Sequence, residues 1–137
     1  MMAFSYPVLA AAFYAGLNGL ILFGLTFAVV RVRTRRGVLI GDGGDTDLVW
    51  AMRAQANFAE LVPLTLAMLM LTAALGAPGW AVHVLGLVLT AARLMHAAHF
   101  LGARRPMVTR VAGTIGTVSV LLLCSAGVVL HAAAQML

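Results

Sequence analysis

The chain has 137 residues, 63% of them hydrophobic and only 9% charged, with a mean hydropathy of +1.03. A water-soluble domain carries about 25% charged residues, so the composition excludes one and points to a single integral membrane domain over residues 1–137. The net charge of +5 does not signal a nucleic-acid partner. The arginines flank apolar runs instead of forming a soluble basic face, which suits topological anchoring and attraction to anionic lipid headgroups.

Four apolar spans are read in chain order. The first covers about residues 7–30 and carries no charge. No basic region precedes it, and its apolar run continues to Val30 without a convincing cleavage site, so it reads as a retained span and not as a signal peptide. Within it, Asn18 lies between Gly16 and Gly19 and suits a helix-packing contact. A polar loop follows, Arg31 to Arg36 and then Gly41 to Asp47. Its run Asp42-Gly-Gly-Asp45-Thr-Asp47 loosely resembles a calcium loop but lacks that motif's alternation and terminal glutamate. The reading preferred here is a flexible loop in which Thr46 or Asp47 caps the next helix.

The second span covers about residues 48–75. It opens on Arg53, Asn57 and Glu60, groups that are expensive at membrane depth and therefore mark function by default. At about 100° per residue, Asn57 lies roughly 40° from Arg53 and Glu60 roughly 20° from it on the other side. The three share one narrow stripe that can face a cavity. A neutral turn, Gly76 to Gly79, leads to the third span, about residues 80–101, with Arg93 and His96. Arg104 and Arg105 link it to the fourth, about residues 107–134, with Arg110 near its start. Ala112, Gly113, Gly116 and Thr117 there suit close helix packing.

Each span exceeds the ~20 residues needed to cross the hydrocarbon core, and uninterrupted apolar runs of this length fit helices. The fold class expected is all-α, an integral membrane four-helix bundle. Both arginine-bearing loops fall on one side, with the neutral turn and both termini on the other. The positive-inside rule puts the arginine loops in the cytoplasm and the termini outside. Arg53, Glu60, Arg93, His96 and Arg110 then converge on one cytoplasmic layer. That pattern implies a polar cavity with more cation than anion, which an anionic ligand would balance.

Several residues take plainer readings. The lone cysteine, Cys124, has no partner for an intrachain bridge and reads as a buried packing residue. His96 and His99 are one turn apart, but no second ligand cluster accompanies them, so no metal site is expected. His83 and His131 sit near the outer ends of spans and read as interfacial.

The run Arg53-Ala-Gln55-Ala-Asn57-Phe-Ala-Glu60-Leu-Val-Pro63 resembles the signature of the MAPEG family, the membrane-associated proteins of eicosanoid and glutathione metabolism. The core of that signature is Arg-Ala-(His or Gln)-x-Asn-x-x-Glu-x-x-Pro. Ala92-Arg93-Leu94-Met95-His96 and Arg110 add to the resemblance, as do the length and four spans. The resemblance implies a homotrimer binding glutathione between subunits on the cytoplasmic side. It assigns the ligand to Arg53, Asn57, Glu60 and Arg93, with Gln55 reaching it from a neighbouring protomer and His96 nearby. Arginines can grip the two carboxylates of glutathione bidentately, and Glu60 can accept from its ammonium. Arg110 matches the family arginine proposed to hold the thiolate, a form that a nearby cation favours.

The function implied is a glutathione-dependent membrane transferase or peroxidase, attacking a lipophilic electrophile or hydroperoxide that arrives from the bilayer. One position departs from the family pattern: Phe100 stands where several members have a tyrosine. Two other readings stay open. One is a protein of the same fold that binds another anionic or lipid ligand without transferase activity. The other is a small four-span transporter, although such transporters carry their glutamate alone on the first span. Nine arginines without a lysine, with abundant Ala and Gly, suggest a GC-rich bacterial genome and hence a bacterial inner membrane.

Overall fold

The structure, a computed structural model, describes residues 4–102 and 106–137. Arg104 and Arg105, the basic pair linking the third and fourth spans, lie outside the described residues. Four helices run in order: α1 (Tyr6–Arg36), α2 (Thr46–Ala74), α3 (Gly79–Leu101) and α4 (Met107–Met136). All four are long and apolar enough to cross a membrane.

Punctuation residues set the boundaries. Pro7 sits in the first turn of α1, where its missing N–H costs nothing. That helix continues past the expected end of the first span because nothing between Arg31 and Arg36 breaks it. Gly37 then closes it in the left-handed conformation, φ 67°, with its N–H on the Arg33 carbonyl. At about 1.5 Å per residue, 31 residues reach well beyond a ~30 Å hydrocarbon core. The arginine-bearing end of α1 therefore projects into the interface.

The cap of α2 is Asp45, whose side chain accepts from the Leu48 N–H at 2.9 Å, in place of Thr46 or Asp47 as expected. The shift has a physical reason. From the position preceding the helix, Asp45 reaches the third residue inward and also pairs with Arg36 Nε at 2.9 Å. The loop expected to be flexible is folded on itself. Arg33 Nη1 donates to the Gly41 carbonyl at 2.8 Å, and the Gly44 N–H donates to Asp42 Oδ1 at 3.0 Å.

α1 packs on α2 and α3, and α4 packs on α2 and α3, with α2 and α3 also touching across the bundle. α1 and α4 share no contact among the described residues. One apolar cluster, with Tyr14, Leu69, Val82, Leu89, Val120 and Cys124, fills the end of the bundle near the neutral turn. A second, with Leu25, Ala54, Phe58, Val62 and Phe100, fills the end that carries the polar stripe.

Three contacts fix the packing. Asn18 Nδ2 donates to Thr90 Oγ1 at 3.0 Å, joining α1 to α3 as its place between glycines suggested. Both ring nitrogens of His83 meet phenols, Tyr6 at 2.9 Å and Tyr14 at 3.1 Å, so His83 is part of a helix contact. Gly113 and Gly116 bring α4 against Ala92 and His96 of α3, with no room there for a β-carbon.

Candidate functional site

The polar stripe of α2 opens into a cleft of about 480 Å³ between α2, α3 and α4. Arg53, Asn57 and Glu60 line one wall, His96 and Phe100 the second, Arg110 and Thr114 the third. Residues distant in sequence thus meet at one level of the bundle, the end where the arginine-rich loop lies. The helical spacing that put Arg53, Asn57 and Glu60 on one stripe holds in three dimensions.

The charged groups stand apart from one another. Arg53 and Glu60 are separated by two helical turns, roughly 10 Å along the axis. Among the described residues neither forms an ion pair within 4.0 Å. Both are exposed toward the cleft, so the stripe is not a closed bridge that serves only to lock helices.

Arg93 takes a different position. It is 1% exposed and lies behind Asn57, outside the cleft lining. Its Nη1 donates to Asn57 Oδ1 at 3.1 Å, and its guanidinium carbon stands 5.9 Å from the Phe58 ring centroid. Its Nε and Nη2 have no hydrogen-bond partner among the described residues. Holding the Asn57 carbonyl inward leaves the Asn57 amide NH₂ as a donor toward the cleft.

The aromatic floor is a cluster of tilted and edge-on rings. Phe100 packs on His96 with centroids 4.8 Å apart, on His99 at 5.0 Å and on Trp50 at 5.4 Å. The Arg110 guanidinium carbon stands 5.8 Å from the Phe100 centroid, a distance at which a cation is attracted to the ring face. His99 Nδ1 and the Pro106 carbonyl, 3.0 Å apart, tie the end of α3 to the start of α4. Phe100 thus supplies a platform for Arg110, although it offers no hydroxyl to a ligand.

Gln55 is not brought to this cleft. It points to the α1 side of α2, where its Nε2 donates to Thr26 Oγ1 at 2.9 Å. There it lines a second opening of about 490 Å³ with Arg33, Met52 and Ala59. Ala56 borders both openings. Sequence reading missed Val49, Trp50 and Thr114 as lining residues. Helical periodicity carried the signal for all three: Val49 and Trp50 lie one turn before Arg53 and Thr114 one turn after Arg110.

Fold and site together define a small four-helix membrane protein with a cation-rich cleft near one end of the bundle. The chain belongs to the MAPEG family, whose model matches residues 11–129. It is similar to the inner membrane protein YecN of Escherichia coli strain K12, 40% identical over 88 residues that cover 64% of this chain and 67% of that protein. YecN of Escherichia coli O6:H1 matches to the same extent. The relatives and the four apolar helices support a bacterial member of the family, an integral protein of the inner membrane.

Proposed function

We propose that the cleft binds glutathione and presents its thiolate to lipophilic electrophiles or hydroperoxides. The observation that carries this reading is the convergence of Arg53, Asn57, Glu60 and Arg110 on one cleft open at the side of an apolar bundle. Two cations and one anion complement a ligand with two carboxylates, an ammonium and a thiol. Arg53 takes a carboxylate bidentately, Glu60 accepts from the ammonium, and Asn57 donates to a peptide carbonyl. Arg93 acts through Asn57, and His96 borders the ligand beside Phe100.

Arg110, held over Phe100, stabilises the sulfur as a thiolate against its ordinary pKa of about 8.5, and the thiol proton passes to water. With an electrophilic carbon, the sulfur forms a thioether and expels the leaving group. With a hydroperoxide, it attacks the terminal oxygen and releases an alcohol and a glutathione sulfenic acid. A second glutathione converts that to disulfide and water. The protein contributes position and charge and needs no nucleophile of its own.

In this reading three copies form a ring, and Gln55 reaches a neighbour's ligand from the far side of α2. The arginine loops face the cytoplasm, where glutathione is available, and the termini lie outside. A second reading rests on Phe100: without a hydroxyl at that position, the cleft would hold another anionic or lipid ligand and carry out no transfer.

Turnover in proteoliposomes distinguishes the two. Glutathione with an activated aryl halide, and separately with a fatty-acid hydroperoxide, should give thioether or alcohol above the protein-free rate. No product from either, together with no saturable glutathione binding, favours the second reading.

A further inference from the structure

The loop between α1 and α2 carries two large apolar side chains that the bundle does not use. Leu39 is 91% exposed and Ile40 is 92% exposed. They do not belong to a loose tip. Val38, immediately before them, turns inward onto the cluster of Val29, Leu48 and Ala51. A β-carbon on Gly43 would come within 2.7 Å of Val38 Cγ2, so the far strand of the loop is pressed against that side chain. The Val38 N–H donates to the Arg33 carbonyl at 3.1 Å, and Arg33 Nη1 donates to the Gly41 carbonyl at 2.8 Å. With both flanks of the tip pinned, Leu39 and Ile40 are held outward.

Height and charge identify what they meet. Gly41 is level with the Arg33 guanidinium, so the loop folds back beside the last turns of α1. At about 1.5 Å per residue, the tip lies within roughly 10 Å of Val30, the last apolar residue before Arg31. If the hydrocarbon edge falls near Val30, that height corresponds to the headgroup layer of the leaflet. Asp45 and Asp47 both face Arg36, at 2.9 and 3.7 Å, and Asp42 is engaged by the Gly44 N–H. Arg31 and Arg35 are exposed on the same last turns of α1, on the face away from Arg33.

We propose that the α1–α2 loop is an interfacial wedge. Leu39 and Ile40 enter the boundary between headgroups and acyl chains, and Arg31 and Arg35 hold the phosphates of anionic phospholipids around them. Apolar side chains with adjacent cations are the combination that binds the plane of an anionic bilayer. The wedge fixes the height of the arginine-bearing end of the bundle relative to the leaflet, independently of what the cleft binds.

The test is site-directed spin labelling of Ile40→Cys, in a Cys124→Ala background, in vesicles of phosphatidylethanolamine and phosphatidylglycerol. A parallel Asp42→Cys label supplies the aqueous reference. The wedge predicts that oxygen relaxes the Ile40 label more effectively than a nickel chelate does, at a depth of about 5 Å or more below the phosphates. Equal chelate access at both labels overturns it, because the tip is then in water. Exclusion of both relaxants also overturns it, because another polypeptide then covers the tip. In the unlabelled full chain, Arg31→Gln with Arg35→Gln should lower the preference for spin-labelled phosphatidylglycerol over phosphatidylcholine several-fold. An unchanged preference overturns the headgroup assignment.

Discussion

Gly113→Ala tests whether the site depends on the close approach of α3 and α4. A β-carbon at Gly113 would lie 2.7 Å from the Ala92 carbonyl oxygen, 2.8 Å from His96 Cβ and 2.9 Å from the His96 backbone nitrogen. Two of these three are backbone atoms of α3, so no side-chain rotation relieves the clash. To restore ordinary contact, α4 must retreat by about 0.7 Å. Overpacking of this kind costs about 1–3 kcal/mol. The displaced segment includes Arg110, one turn earlier, and Thr114, while His96 and Phe100 stay with α3. A misplacement near 1 Å can cost about a hundredfold in rate, so activity should fall further than stability. Gly127→Ala is the control: it lies on the same helix, has nothing within 4 Å, and by helix propensity should be neutral or gain about 0.5–1 kcal/mol. Thermal unfolding in detergent, with turnover measured on the same samples, gives both quantities. A Gly113→Ala protein as stable and as active as Gly127→Ala would refute the reasoning.

Three other predictions follow from separate contacts. Asn57→Leu removes the hydrogen bond to the buried Arg93 guanidinium; unfolding should show a loss of about 2 kcal/mol, within the range for a hydrogen bond to a charged group. Asp45→Ala removes the α2 cap and the partner of Arg36; about 1 kcal/mol should be lost, most of it from the cap, since the Arg36 side of the ion pair is half exposed. Gln55→Ala should weaken glutathione binding about fivefold by calorimetry, the worth of one hydrogen bond, if Gln55 serves a neighbour's cleft. An unchanged affinity would mean that each cleft is completed within one chain.

The spans were legible because long, predominantly apolar runs have one structural outcome in lipid. The stripe of Arg53, Asn57 and Glu60 was legible because helical geometry fixes its angular spread before any tertiary contact forms. The placement of Arg93 was not. Its sequence position shows that it shares a layer with the stripe. That its guanidinium turns behind Asn57 depends on how α2 and α3 lean together at Phe58 and Phe100. The aromatic cluster was hidden for a similar reason: Trp50, His99 and Phe100 come from two helices. The α2 cap was placed one or two residues late, at Thr46 or Asp47, because neighbouring polar side chains can each cap, and the pairing of Arg36 with Asp45 favours Asp45.

The central claim is that this cleft holds glutathione as a thiolate beside Arg110. Its most direct test is titration of glutathione into the purified protein by calorimetry, paired with an ultraviolet difference spectrum. The account predicts saturable binding with a thiolate band, and loss of the band in Arg110→Ala while the fold is retained. Absence of binding at millimolar glutathione, or a band that persists without Arg110, would contradict it.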